Sequence, residues 1–287
     1  MKLTGFHIEP TNRCVLKCSA CERTQFLEQF GSKAWQQSDI NLEHLQSFID
    51  IDVKHTLWEL CGNTGDPIYY PNLIELASWI KDQGGNIYMT TNGSYRKHTW
   101  WAQLLEVLDN NDTIVFSVDG SPNTSPIYRI NSDWLSIDMA MDMVSKSKVA
   151  GIWKMIPFNF NEHEIKFVKT MSADRGLGFR LDPSERFEKD DPLLPSKEEL
   201  KTVYGQGAMA PRCSDGTRHY ISAKGYYTPC CWMARYSFYY KSDFYKQQEQ
   251  FDISKTTLSN ILTLMQDYDE QMKLDPQPVC SYTCRQP

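Results

Sequence analysis

Hydrophobic and polar positions follow two periods along the first two-thirds of the chain, and the period switches repeatedly. Short alternating or continuous apolar runs, "LTGFHIE", "TLWELC", "NIYMTTNG", "TIVFSVDG", "IWKMIPF" and "LGFRLDP", read as strands. Between them the apolar residues recur at helical spacing. In "NLEHLQSFID" Leu42, Leu45, Phe48 and Ile49 share one face, with Asn41 placed as N-cap. "PNLIELASWIKDQGG" is expected to start near Pro71 and stop at Gly84. "TWWAQLLEVLD", "SDWLSIDMAMDMVSK" and "EHEIKFVKTMSADRG" complete the helices; the second turns Trp134, Ile137 and Met141 to its apolar side.

Strands alternating with helices imply βαβ units and a parallel sheet. Six such units joined by right-handed crossovers curl into an open barrel, so the fold class is α/β, a partial (β/α)6 TIM-like barrel. In parallel α/β folds the site lies at the C-terminal strand ends. Cys14 to Cys21 follow the first strand, "GNTGDP" the second and "TNG" the third, and "SVDG" closes the fourth. After "LDPSERFEKDDPLLPS", a charged, Pro-containing stretch with linker character, the periodicity weakens. The expected domains are 1–190, the barrel, and 191–287, a linker and a small cysteine-rich α+β domain.

Composition narrows the function. A length of 287 residues with 41% hydrophobic content supports one large or two smaller domains. A net charge of -6 argues against a dedicated nucleic-acid binder. No apolar run approaches the roughly 20 residues of a membrane span, and "MKLTGFHIEPTNRC" contains no secretion signal. Both point to the cytoplasm, where thiols stay reduced. The nine cysteines are an odd number, clustered at 14/18/21, 213/230/231 and 280/284 with Cys61 alone. Metal or iron–sulfur ligation is the better reading than a disulfide framework.

Within "EPTNRCVLKCSACERT" three cysteines are spaced CxxxCxxC. A structural zinc site needs four ligands. Three thiolates on a cubane cluster leave one iron open to a non-protein ligand. This motif after the first strand of a βα barrel resembles the radical S-adenosylmethionine (radical SAM) superfamily. The resemblance implies that Cys14, Cys18 and Cys21 hold a 4Fe-4S cluster whose open iron is chelated by S-adenosylmethionine. "CGNTGDPIYYP" is similar to that family's glycine-rich segment, which implies cofactor contacts from Gly62, Thr64, Gly65, Asp66 and Pro67. Asp66 stands where many members have Glu, and Ala20 where an aromatic is frequent. "FSVDG" implies Ser117 and Asp119 at the ribose or carboxylate, "YRIN" implies Arg129 at the methionine carboxylate, and "TTNG" places Thr91 or Asn92 in the cofactor pocket. Read without the resemblance, the cysteines are also compatible with a zinc knuckle or scattered reduced thiols, Gly62 to Pro67 with a plain turn, and Arg129 with a surface position.

Cys213 is followed by eleven residues, Gly225, four residues and Cys230. This pattern resembles the start of the SPASM/twitch auxiliary-cluster domain, and "YISAKGYYTPCC" reads as a β-hairpin turning at Lys224-Gly225. The shorter twitch version implies a second 4Fe-4S cluster on Cys213, Cys230, Cys280 and Cys284. The same four residues suit zinc. Cys231 is expected on the opposite hairpin face from Cys230, as an unligated thiol or a substitute ligand, and Cys61 as a buried strand thiol. The six histidines form no ligand set.

The resemblance implies reductive cleavage of S-adenosylmethionine to a 5′-deoxyadenosyl radical, fed by a reductant such as flavodoxin or ferredoxin. The radical then abstracts a hydrogen atom from a small-molecule or nucleotide-linked substrate, in an oxidation or rearrangement with the auxiliary cluster as electron acceptor. No recognition domain fits ahead of a strand that starts at residue 3, which favours a small molecule. A peptide-modifying enzyme and a non-catalytic iron–sulfur or zinc module are the alternatives. Arg180 and Asp182 alternate onto one face near the end of the sixth strand, as substrate contacts or as an interior salt bridge.

Overall fold

The computed structural model describes residues 3–184, 190–202, 207–208, 210 and 219–284. In chain order the elements are β1 (Gly5–Ile8), α1 (Glu22–Phe30), α2 (Leu42–Phe48), β2 (Leu57–Leu60), α3 (Leu73–Asp82), β3 (Asn86–Thr91), α4 (His98–Val107) and β4 (Thr113–Ser117). There follow α5 (Ser125–Tyr128), α6 (Trp134–Ser145), β5 (Ala150–Met155), α7 (Ile165–Asp174), β6 (Gly178–Leu181), β7 (His219–Ile221) and β8 (Tyr227–Thr228). Among the described residues five short α-helices follow: α8 (Tyr236–Tyr239), α9 (Asp243–Lys246), α10 (Leu258–Leu264), α11 (Tyr268–Leu274) and α12 (Pro278–Thr283). The first six strands alternate with helices, the α/β architecture of a partial TIM-like barrel. No described helix is long and apolar enough to cross a membrane.

All six expected strands form. Asn41 caps α2 as expected, its side chain accepting from the His44 amide. α3 begins at Leu73, two residues after Pro71. α1 was not legible, because it starts immediately after Cys21 with no side-chain cap and a mixed polar sequence. The C-terminal helices are too short to show a period.

The chain forms two compact units. Unit 1 is Met1–Arg13, Gln37–Asn86 and Val203–Pro287; unit 2 is Cys14–Gln36 and Ile87–Thr202. This division differs from a single boundary near residue 190. The C-terminal segment belongs with the N-terminal strand because β1 pairs parallel with β7 as well as with β2. β8 pairs antiparallel with β7, and Gly225 occupies the turn at φ 81°.

In unit 2, β4 pairs parallel with β3 and β5, and β5 with β6. One face of these strands is apolar. Phe116 packs on Trp101 of α4 with ring centroids 5.8 Å apart, and Trp153 on Trp134 of α6 at 6.0 Å. The opposite face carries Asn92, Ser117, Lys154 and Arg180, and this alternation aims polar groups at the site.

Candidate metal and cofactor site

The three N-terminal cysteines open unit 2. Cys18 lies in a nest with Leu16, Tyr128 and Phe158, against which Cys14, Ala20, Cys21 and Ile156 pack. The Cys21 amide donates to the Cys18 carbonyl at 3.1 Å, which turns the loop and leads directly into α1. The buried Arg23 guanidinium donates to the Leu16 carbonyl and braces the loop from the helix side. Asn92 directs its amide at Cys14 Sγ, 3.6 Å away, while its own Oδ1 accepts from the Ser94 amide at 2.8 Å. Thr91 lies in register with Phe116, on the helix-covered face, so Asn92 is the member of the pair that reaches the cysteines.

Beside Cys18 stands an ion pair whose acid is fully buried and whose arginine is largely so. Arg129 Nε lies 2.6 Å from Asp119 Oδ2, and Asp119 is 0% exposed. Asp119 Oδ1 accepts from the Ile156 amide at 2.7 Å, so the carboxylate is held at both oxygens. Burial pushes the Cys18 thiol up and the Arg129 charge opposes this. Burial opposes the Arg129 charge too, but Asp119 and Cys18 outweigh it and secure the cation. The family resemblance implies the ribose or carboxylate for Asp119 and the methionine carboxylate for Arg129; in the structure the two side chains pair with each other. Ser117, two residues before Asp119 on the same face, is buried at the end of β4.

Among the described residues no three His, Cys, Asp or Glu side chains converge on a single ion. A cubane cluster does not ask for that, since each thiolate binds a different iron. Three thiols on one loop, in an apolar nest with a fixed cation beside one of them, fit such a cluster. The soft donors match, and the cation offsets anionic charge.

In unit 1 the glycine-rich loop is organised by Glu9, the first residue of the "EPTNRC" lead-in, to which the sequence gives no role of its own. Its Oε1 accepts from the Thr64 amide at 2.8 Å, the Thr64 hydroxyl at 2.9 Å and the Gly65 amide at 3.2 Å. A Cβ on Gly62 would stand 2.8 Å from that oxygen, and one on Gly65 would overlap the Thr11 carbonyl oxygen. Both glycines are therefore required by close approach. Asp66 is buried and acts as a cap: its Oδ1 accepts from the Ile68 amide at 3.2 Å, at the start of a short 3-10 turn, Pro67–Tyr69. Its own amide donates to the Arg13 carbonyl at 2.9 Å.

The C-terminal cysteines also gather in unit 1. The Cys280 thiol is pushed up to about 12, first by burial and then by neighbouring Cys230 and Cys284. Cys280 and Cys284 stand one turn apart, joined by the Cys284 amide donating to the Cys280 carbonyl at 2.9 Å. Three adjacent thiols, two of them buried, ionise together only around a cationic centre, so this donor set also fits an iron–sulfur cluster or zinc. Cys213 lies outside the described residues. Cys230 and Cys231 do not take opposite faces of the hairpin as strand residues, because β8 ends at Thr228 and strand alternation does not reach them. Cys231 is half-buried, and its carbonyl accepts from the Asn63 side chain at 2.8 Å.

Arg180 and Asp182 form an ion pair, Nη2 to Oδ2 at 2.9 Å, and both remain more than a third exposed. Arg180 also donates to the Tyr88 hydroxyl.

No family model matches the chain. The tungsten-containing aldehyde ferredoxin oxidoreductase cofactor-modifying protein of Pyrococcus furiosus is 21% identical over 124 residues, 43% of this chain and 33% of that protein. The match thus spans a third of the relative's length. Among solved structures, native anSMEcpe with bound AdoMet and Kp18Cys peptide aligns with a TM-score of 0.60 at 14% identity, covering 99% of this chain and 90% of that one. Streptococcus suis SuiB bound to S-adenosylmethionine aligns at 0.59 and 12% identity, over 87% of this chain and 66% of SuiB. This chain therefore covers just under two-thirds of SuiB. BtrN in complex with AdoMet and 2-DOIA aligns at 0.50 and 11%, over 98% and 92%. These likenesses establish the fold, which is that of radical SAM enzymes.

Proposed function

We propose that this chain, with the radical SAM fold as its frame, is a radical SAM enzyme acting on a small-molecule or nucleotide-linked substrate. The observation that carries the reading is the cysteine loop itself, with three thiols in one nest and the Asp119–Arg129 pair beside Cys18. When bound, a 4Fe-4S cluster with S-adenosylmethionine on its open iron supplies one-electron cleavage of the sulfonium and a 5′-deoxyadenosyl radical that abstracts hydrogen. Cys14, Cys18 and Cys21 would hold that cluster, Asn92 would orient Cys14, and Arg129 would offset the charge near Cys18. Gly62, Thr64, Gly65, Asp66 and Pro67 are assigned to the cofactor's methionine end, with Glu9 positioning their loop. Ser117 is assigned to the ribose side.

Segment 191–287 is assigned as a twitch-like domain, with Cys213, Cys230, Cys280 and Cys284 holding a second cluster. Its proposed role is to accept the electron left on an oxidised substrate; an external reductant such as flavodoxin or ferredoxin feeds the first. Four protein thiolates leave no iron open there, which favours electron transfer over substrate ligation. The cytoplasm is the assigned location. The aligned BtrN complex, with its small ligand 2-DOIA, supports a small-molecule substrate. A peptide substrate is the second reading, supported by the aligned anSMEcpe complex with a bound peptide.

The test is anaerobic reconstitution with iron, sulfide, S-adenosylmethionine and dithionite, followed by assay for 5′-deoxyadenosine. Formation in the native protein and its loss in the Cys14/Cys18/Cys21→Ala variant is the expected result. Intact clusters without cleavage would leave a non-catalytic iron–sulfur module, and zinc in place of iron would overturn both cluster assignments.

A further inference from the structure

The backbone between Cys14 and Cys18 is held from both sides within unit 2. The Val15 carbonyl accepts from Asn131 Nδ2 at 2.9 Å, and the Leu16 carbonyl accepts from the Arg23 guanidinium. The Lys17 amide donates to the Ile130 carbonyl at 3.0 Å. The Leu16 amide differs: it has no acceptor among the described residues, although Leu16 is only 2% exposed. A buried N–H without an acceptor is rare, and each one calls for an explanation. A trans peptide link is planar, with its C=O and N–H pointing to opposite sides, and no described link is cis. Exposed Asn131 takes the Val15 carbonyl from the solvent side. The Leu16 amide of the same link therefore points inward, where Leu16 packs with Cys18.

Asn131 is itself held in an uncommon conformation. Among the described residues, the non-glycine positions with left-handed backbone are His55 at φ 60°, Tyr95 at 68° and Asn131 at 71°. The last two are bonded to each other: the Tyr95 hydroxyl donates to the Asn131 carbonyl at 3.0 Å. Asn tolerates this region, whereas a Tyr there is an outlier. The Tyr95 amide, which donates to Ser136 Oγ at 2.7 Å, pins it in place. Strained backbone of this kind persists where its surroundings over-determine it, and it gathers at functional sites. Here it brings one side-chain amide to the outer side of the cysteine loop.

We propose that Asn131 is a positioning residue for the first cluster: by holding the Val15 carbonyl outward it aims the Leu16 amide at a cluster sulfur, as a hydrogen-bond donor. The proposal rests on the assignment of Cys14, Cys18 and Cys21 to a cluster, and not on cofactor cleavage. A reduced cluster carries one more negative charge than an oxidised one. A donor to its sulfur therefore favours the reduced form and raises the reduction potential. Asn131 acts only through the peptide link, so its effect belongs to the shell around the ligands rather than to the ligands themselves.

The test is made on full-length protein reconstituted without oxygen. The first cluster's electron paramagnetic resonance signal is the one missing from the Cys14/Cys18/Cys21→Ala variant. With ¹⁵N-leucine as the only label, pulsed spectroscopy of the reduced first cluster should show coupling to a peptide ¹⁵N. That coupling should vanish in Leu16→Met, which removes the label at this position and keeps the amide. Asn131→Gly keeps the left-handed backbone and deletes only the side-chain donor. It should weaken the coupling. It should also lower the ratio of reduced to oxidised cluster at a fixed potential about tenfold, a downward shift of about 59 mV for one electron. A role confined to stability would leave that midpoint where it is. An unchanged or raised midpoint in Asn131→Gly at full iron content, or no leucine coupling in the native protein, would overturn the proposal. If Asn131→Gly takes up no iron, the coupling in the native protein decides. If the triple alanine variant lacks no signal, the cluster assignment itself fails; if a signal is lost there but shows no coupling in the native protein, only this inference fails.

Discussion

Tyr220 donates its hydroxyl to Glu9 at 2.8 Å across 211 positions of sequence. Both residues are buried, and the other oxygen of Glu9 holds the glycine-rich loop. Burial, then the Glu9 charge, pushes the Tyr220 phenol well above its usual range, so it remains a donor at any physiological pH. Tyr220→Phe leaves one oxygen of a buried carboxylate without its donor and is expected to destabilise the fold by about 1–3 kcal/mol. Urea denaturation checks this; an unchanged midpoint would mean that water replaces the phenol.

The Asp119–Arg129 pair sets a second expectation. Asp119→Ala strands a largely buried guanidinium and should cost about 3–5 kcal/mol, whereas Asp119→Leu combined with Arg129→Met should recover most of that loss. The check is a double-mutant cycle by chemical denaturation. Additive effects would show that the two side chains do not act as a unit.

Gly65 cannot carry a side chain without moving Thr11. Gly65→Ala should destabilise by about 1–3 kcal/mol through overpacking. Gly178→Ala, where an added Cβ meets its nearest neighbour at 3.5 Å, should be close to neutral. Thermal melts of the two variants give the comparison, and equal losses would remove the close-approach argument.

The auxiliary assignment predicts an uncoupling. Cys280→Ala with Cys284→Ala should lower the iron content of reconstituted protein from about eight to about four per chain. 5′-Deoxyadenosine should still form while oxidised product does not. Product yield per 5′-deoxyadenosine that stays level would make the second cluster structural.

His219 predicts a pH dependence. Burial lowers its pKa from 6.5 to about 4, and its Nδ1 lies 2.9 Å from the Tyr227 hydroxyl. Between those values the unfolded chain binds a proton that the folded protein refuses. Stability should therefore be level above pH 6.5 and fall as pH drops towards 4, by at most about 3 kcal/mol from this residue. Denaturation midpoints at pH 7 and pH 5 should converge in His219→Gln; a persistent difference of the same size would assign the slope to other groups.

Local signals in the sequence determined the six strands, the helices between them and the position of the first cysteine triad. Each was legible because period, caps and spacing act within a few residues: Asn41 caps α2 three residues from its partner, and Cys14, Cys18 and Cys21 share one loop whatever surrounds them. What those side chains do was decided by tertiary structure. Asp119 and Arg129 each matched a cofactor-binding segment, yet burial leaves neither charge affordable alone, and the fold turns them onto each other. Asp66 matched a cofactor position and also serves as a cap, because the turn it begins needs an acceptor for the Ile68 amide. Glu9 stands in the stretch that leads into the cysteine motif, yet its role was not legible there, since it lies in donors 55, 56 and 211 positions away. β7 reaches β1 for the same reason: strand partnership is settled by which edges meet in space, and no period along the chain encodes it.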